Sequence, residues 1–260
     1  MSIFFLFFHV IWKKRTTFAH AITKLDILFA MSQEKAEIAS SITQLWDPLT
    51  DEQRQVFVDS LLLRQFHRNE VIYSQGDSSD YLYYLIRGTV AISREGIANQ
   101  TQIVKMAEPG CMFGYAPAFD NSEHISKATA TSEAAVAMIP MEIIFRLIWE
   151  NSAFSMVFIR ELAYMLGASV SRTISLTQKH IRGRLAESLL LMKQKYGVER
   201  DGQTLAVYLS RKNLAQMSNM TTSNAIRTLS SFTQEGLIEI EGRQIKFLNE
   251  SGLKRISELG

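Results

Sequence analysis

Residues 209–235 read LSRKNLAQMSNMTTSNAIRTLSSFTQE, and this stretch has the pattern of two short helices joined by a tight turn. Ser210 offers a capping hydroxyl where a first helix would begin, and Thr221 offers one for a second. Between them Leu214 and Ala215 supply an apolar contact and a small residue where the helices cross, and Asn219 is a residue type that tolerates a left-handed turn. Ala225, Leu229 and Phe232 recur at intervals of four and three, which buries one face and turns Thr222, Ser223, Asn224 and Arg227 outward. Gly236 ends the second helix, and the apolar segments LIEI and QIKF flank Glu241, Gly242 and Arg243 as a hairpin. The whole predicts a winged helix-turn-helix, whose second helix enters the major groove of duplex DNA. Ser218 and Thr228 are departures, because both stand where apolar residues are expected.

Working outward, 260 residues suit two modest domains, each able to bury a core. The net charge of +2 is unevenly spread. Residues 182–260 hold 12 basic against 8 acidic side chains, a net +4, whereas residues 31–181 hold 12 against 17, a net −5. A basic C-terminal module beside an acidic one suits phosphate attraction at one end of the chain, although +4 by itself does not imply DNA. A single cysteine, Cys111, excludes an internal disulfide and any thiolate-only cluster.

The segment MSIFFLFFHVIWKKRTTFAHAITKLDILFA differs from everything after it. Its apolar run, residues 3–12, is about half the ~20 residues that span a bilayer, and its basic residues follow the run instead of preceding it. It fits neither a signal peptide nor an anchor, so no stable membrane insertion is expected. Residues 1–30 read as a non-native or disordered extension ahead of a start at Met31, with a membrane-surface helix as the alternative.

From about Arg68 to Met141 short strands alternate with turns, punctuated by Gly76, Gly88, Gly110 and Gly114, which indicates an antiparallel roll or barrel. Tyr81, Tyr83 and Leu85 alternate with Leu82, Tyr84 and Ile86, so this central strand is apolar on both faces, as in the wall of a container. Pro140 opens a helical region with a break near Asn151 and Ser152, then a long helix from Phe154 to about His180. In it Ile159, Leu162, Leu166, Ser169, Thr173, Leu176 and His180 follow a heptad spacing, the seam along which two copies would pair. Ser169 and Thr173 interrupt the seam with hydroxyls that fix register or touch a ligand.

Roll, long helix and winged helix-turn-helix in that order resemble the cyclic-AMP receptor protein and fumarate-nitrate-reductase regulator (CRP/FNR) family across roughly residues 40–255. The carriers are QGDSSDYLYYLIRGTVAIS at 75–93, EPGCMFG at 108–114 and SRKNLAQMSNMTTSNAIRTLSSFTQEGLIEIEGRQIKF at 210–247. The resemblance implies an α+β chain: an N-terminal antiparallel β-roll of the cyclic-nucleotide-binding, jelly-roll kind, a long dimerisation helix and a C-terminal winged helix-turn-helix. It implies a cytoplasmic, homodimeric transcription regulator whose partners are double-stranded DNA, a second copy of itself, a small-molecule effector and, where transcription is activated, RNA polymerase. The expected divisions are the extension 1–30, an effector-sensing roll 31–153, the dimerisation helix 154–180 and the DNA-binding domain 181–260.

Cyclic-nucleotide members hold phosphate and ribose with a Gly-Glu pair and, about ten residues later, an Arg-Ser pair. Gly114 keeps the glycine, but Tyr115 stands in the Glu position and Ile125 precedes Ser126 where the arginine belongs. Isoleucine cannot replace a bidentate guanidinium contact of roughly 1.5–3 kcal/mol, so tight cyclic-AMP binding is not expected. The helix positions that meet adenine are Ser169 and Val170, and the resemblance puts a candidate effector pocket at Gly114, Tyr115, Ser126, Ser169 and Thr173. One cysteine excludes the iron–sulfur centre of oxygen-sensing members. Haem stays open, with His67, His124, His180 and eleven methionines to choose from, and the effector is undetermined.

On the DNA side, family members present Arg and Glu in the first turn of the recognition helix and Arg one turn later. Thr222, Ser223 and Arg227 fill those positions here, so an Arg227 contact to guanine is retained while the first-turn code differs, and Asn224 can face adenine. Thr221 starts the helix, Ser210 and Arg211 align with phosphate-gripping residues, and Arg243 at the wing is a second phosphate contact. An enzyme would need convergent groups, and the sequence has no nucleophile elbow, phosphate loop or HExxH site. A sensor that regulates a protein partner without touching DNA is the remaining alternative, and the recognition helix argues against it.

Overall fold

The computed structural model describes residues 33–96 and 101–260, and the assignment of residues 1–30 as an extension lies outside the described residues. Three helical segments come first: residues 33–41 (α1), Thr43–Trp46 (α2) and Asp51–Ser60 (α3). The last starts in a capping box, in which the Thr50 hydroxyl accepts from the Gln53 amide and the Gln53 side chain accepts from the Thr50 amide.

The roll is built from β1 (Leu62–Phe66), β2 (Val71–Tyr73), β3 (Tyr81–Arg87), β4 (Val90–Glu95), β5 (Thr101–Ala107), β6 (Met112–Phe113), β7 (Lys127–Ala130) and β8 (Ala134–Pro140). These form two antiparallel four-stranded sheets, ordered β1-β8-β3-β6 and β2-β7-β4-β5. The two-sided apolar pattern of β3 has a direct cause. Tyr83 and Leu85 face the other sheet and join the core between the sheets, whereas Leu82 and Tyr84 face outward into a second core roofed by helices. The roll begins at Leu62, earlier than the alternation near Arg68 suggests. Among the described residues strand β1 pairs only with β8 at a sheet edge, and its first four residues are exposed, so LLLRQF carries no inward-outward signal.

Helices α4 (Met141–Glu150) and α5 (Ser152–Gln178) follow. Asn151 breaks the chain between them in an extended conformation and caps α5, its side chain accepting from the Phe154 amide at 3.1 Å. Helix α5 therefore starts two residues before the expected Phe154. It ends at Gln178, so His180 leaves the heptad seam and becomes the residue before α6 (Ile181–Tyr196). One side of α5, with Phe154, Phe158, Leu162 and Met165, packs on the roll's helical core. The other side leaves Ile159, Leu166 and Val170 more than half exposed. By length and composition α5 is apolar enough to cross a membrane, with a mean hydropathy of 1.3, yet only 11% of that stretch is buried within the chain.

The C-terminal domain comprises α6, α7 (Arg211–Met217), α8 (Thr222–Gln234), the hairpin β9 (Ile238–Glu241) and β10 (Gln244–Phe247), and α9 (Glu250–Leu259). Its core of Leu185, Leu189, Leu214, Leu229, Phe232 and Ile245 also takes in Ala91, Ile103 and Met106 from β4 and β5, so it is continuous with the roll.

Candidate nucleic-acid interface and roll interior

The two capping hydroxyls predicted from sequence start the two helices. Ser210 Oγ accepts from the Asn213 amide at 3.0 Å and Thr221 Oγ1 accepts from the Asn224 amide at 3.2 Å, which satisfies one otherwise orphan donor in each first turn. Asn219 makes the turn between them at φ 48°, and the Met220 amide returns to the Ala215 carbonyl at 3.0 Å. Ala225, Leu229 and Phe232 are buried, while Thr222, Ser223 and Arg227 are exposed and Asn224 is half-buried. Four donors and acceptors thus sit along one accessible edge of a helix, the arrangement that reads base edges in a major groove.

One of the two polar departures in the motif is answered by a contact across the core. Ser218 is fully buried, and its hydroxyl meets that of Ser188 on α6 at 2.9 Å, so the pair satisfies itself inside the core. Thr228 is also buried.

Arg211 does more than stand at a helix entrance. Its Nη2 donates to the Gly242 carbonyl at 3.0 Å and ties α7 to the wing, beside the exposed Arg243. Sequence reading missed Arg182 on α6. Its guanidinium lies 5.0 Å from the Phe232 ring centroid, donates to Ser231 Oγ at 2.7 Å and pairs with Glu235, clamping the C-terminal turns of α8. Its partners lie about fifty residues away, and only the fold brings them together. A crevice of about 990 Å³ separates the start of α8 from the roll, lined by Arg94, Gln102, Lys212, Gln216, Asn219 and Thr221 among others.

Inside the roll, Gly114 has φ +79°, and a Cβ there would stand 2.5 Å from the Tyr83 ring, so only glycine fits. The space beside it is filled by rings. Tyr83 lies 5.3 Å from Phe113 and 5.4 Å from Tyr73, and His124 stacks on Tyr73 at 3.8 Å and 11°. His124 is 2% exposed with its Nε2 unpartnered among the described residues, and burial pushes its pKa below the ordinary histidine value, with Asp77 and Asp80 offsetting in part. Ser126 sits at the Tyr73 hydroxyl, and burial pushes the pKa of the Tyr83 phenol up to about 12. Tyr115 points the other way, into the helical core, with its ring 5.7 Å from Phe158 and its hydroxyl 3.5 Å from Met165 Sδ on α5. Ser169 and Thr173 are one and two turns further along α5 on its exposed side, and the Thr173 hydroxyl is already bonded to the Ser169 carbonyl at 3.0 Å. Within one chain, Gly114 and Ser126 thus border the roll's aromatic cluster, while Tyr115, Ser169 and Thr173 face elsewhere. Among the described residues no group of three His, Cys, Asp or Glu side chains is placed to hold a metal ion.

Residues 63–151 match the cyclic nucleotide-binding domain family, and residues 183–256 match the Crp-like helix-turn-helix domain family. The chain is 25% identical over 191 residues to the CRP-like cAMP-activated global transcriptional regulator of Mycobacterium tuberculosis, covering 73% of this chain and 85% of that one. It is 25% identical over 187 residues to the global nitrogen regulator of a Nostoc species, covering 71% and 84%. The fold is similar to that of FixK2 from Bradyrhizobium japonicum, at 21% identity and a TM-score of 0.69, covering 75% of this chain and 96% of that one. With a cyclic nucleotide-binding domain and a Crp-like helix-turn-helix in this order, and with regulators of this architecture as its relatives, the chain belongs to the CRP/FNR family of DNA-binding transcriptional regulators and is not an enzyme.

Proposed function

We propose that the protein acts in the cytoplasm as a homodimer, paired along the exposed seam of α5, and reads an inverted-repeat operator under the control of an effector other than cyclic AMP. In this reading Thr222, Ser223, Asn224 and Arg227 meet base edges, while Ser210, Arg211, Thr221 and Arg243 meet phosphates. Where the bound protein activates transcription, RNA polymerase is its further partner.

The observation that carries the effector reading is the chemistry beside Gly114. A cyclic phosphate needs a positive, hydrogen-bonding cradle. Here Ile125 is exposed in place of a guanidinium, Tyr115 turns into the helical core, and the buried His124 is held toward its neutral form by desolvation. The Mycobacterium tuberculosis relative is named as cAMP-activated, whereas the residues here lack the guanidinium that the family resemblance implies for cyclic-nucleotide members.

The test is selection of bound duplexes from a random pool by the full chain, with and without cyclic AMP, alongside calorimetric titration of the same nucleotide. An inverted repeat with half-sites about one helical turn apart is expected in both pools, with no saturable heat. Enrichment that depends on cyclic AMP would overturn the effector reading, and enrichment of single half-sites would overturn the dimer.

A further inference from the structure

The guanidinium of Arg172, on α5, joins three parts of the molecule. Its Nη2 donates to the Ile103 carbonyl on β5 at 2.8 Å and to the Met217 carbonyl at 2.9 Å. Both acceptors are groups that regular structure leaves short of partners. Strand β5 is the edge of its sheet, and Met217 is the last residue of α7, whose final carbonyls have no intrahelical donor. One side chain on the long helix thus holds the edge of the sensing roll and the end of the first helix of the DNA-binding motif. Two further contacts lie along the same edge: Lys195 Nζ to the Met106 carbonyl at 3.2 Å and the Tyr196 hydroxyl to the Ala107 carbonyl at 3.3 Å. Ala91, Ile103 and Met106 pack into the C-terminal core beneath them.

This docking leaves the reading edge free, since Thr222, Ser223, Arg227 and Arg243 all stay exposed. Arg172 also lies beside the seam residue Thr173, so it fixes the recognition helix relative to the helix along which two copies would pair. We propose that Arg172 is a positioning residue for operator recognition, setting the separation and tilt of the two recognition helices by locking each DNA-binding domain to the long helix and to edge strand β5. Burial lowers the pKa of this guanidinium, with Glu187 offsetting in part, and its Nη2 is satisfied by the two carbonyls while its buried Nε has no hydrogen-bond partner among the described residues. A charged residue in this place is consistent with a geometric role, because an apolar side chain would pack without bonding either carbonyl.

The inference rests on the reading of the protein as a DNA-binding dimer, and the experiment separates the two. The full-length wild-type protein is first tested by sedimentation and by mobility shift on its selected inverted repeat, on the same repeat with one or two base pairs inserted between half-sites, and on a single half-site. A monomer, or a wild type indifferent to spacing, overturns the dimer reading and the inference with it. A dimer that loses tenfold or more on insertion sets the baseline. Arg172→Met keeps the hydrocarbon and removes every donor. It is expected to bind the selected repeat about tenfold more weakly, to discriminate between spacings by no more than twofold, and to keep its half-site affinity. Arg172→Lys, with one ammonium in place of the fork, should recover part of the spacing preference. Tyr196→Phe, which removes a single hydroxyl from the same interface, should shift it in the same direction by less. A wild-type spacing profile in Arg172→Met overturns the inference, as does a loss of half-site and full-site binding in equal proportion. If Arg172→Met does not fold, an unaltered spacing profile in both Arg172→Lys and Tyr196→Phe overturns it.

Discussion

Arg211 Nη2 lies 3.0 Å from the carbonyl oxygen of Gly242, so the first residue of α7 holds the tip of the wing as well as standing at the entrance to the DNA-binding motif. Only one of the five guanidinium donors is spent on this bond, which leaves the rest for a phosphate.

Arg211→Ala should therefore weaken every duplex alike. We expect the slope of log affinity against log salt to flatten by about one unit, with the base preference of the selected site unchanged, as read by titrations at several salt concentrations. A change in base preference would place Arg211 in the groove.

Arg227→Ala should behave in the opposite way. Arg227 is exposed on the outward face of α8, and in the proposed reading the loss of a bidentate contact to guanine costs about 1–3 kcal/mol at one base position. Repeating the duplex selection with the variant should show that position relaxed and the others retained.

The Ser188–Ser218 pair makes a double-mutant prediction. Either single change to Ala strands one buried hydroxyl and should cost about 1–3 kcal/mol, whereas removing both should cost less than the sum of the singles. Urea unfolding of the four proteins gives the coupling directly.

His124 should make stability depend on mildly acid pH. Its folded pKa is lowered by burial, so below the ordinary value of about 6.5 the unfolded chain takes up a proton that the native site resists. Stability from this group is complete above that pH. It is lost as the pH falls toward the folded pKa, by at most about 1.4 kcal/mol per unit. His124→Gln should flatten unfolding free energy between about pH 7 and 5, a window above that of the carboxylates.

Leu166 is 68% exposed on α5 among the described residues, and burial of such a side chain at a dimer seam contributes about 1.5–3 kcal/mol per copy. Leu166→Asp should shift the sedimenting species toward monomer and abolish binding to the full inverted repeat.

Much of the DNA-binding motif was legible because its signals are local. Ser210 and Thr221 cap helices within three residues of themselves, Asn219 bears its left-handed conformation alone, and Ala225, Leu229 and Phe232 mark a face by spacing. Strand β3 was equally plain, since burial on two sides demands apolar residues at every position of its middle, Leu82 to Leu85. The end of α5 was less so. The heptad spacing runs on to His180, but the chain leaves the helix after Gln178 to begin α6, and periodicity alone does not show where a helix stops.

The sequence by itself determined the order of the parts, the two helix caps and the outward polar face of α8, because each depends on residue type and near neighbours. The tertiary structure alone decided that Tyr115 turns toward α5, that Ser218 finds Ser188, that Arg182 clamps α8 and that Arg172 binds β5 to α7. Each of those answers depends on which carbonyl, hydroxyl or ring is left unpaired at a sheet edge, a helix end or a core surface, and the partner comes from a part of the chain thirty or more residues away.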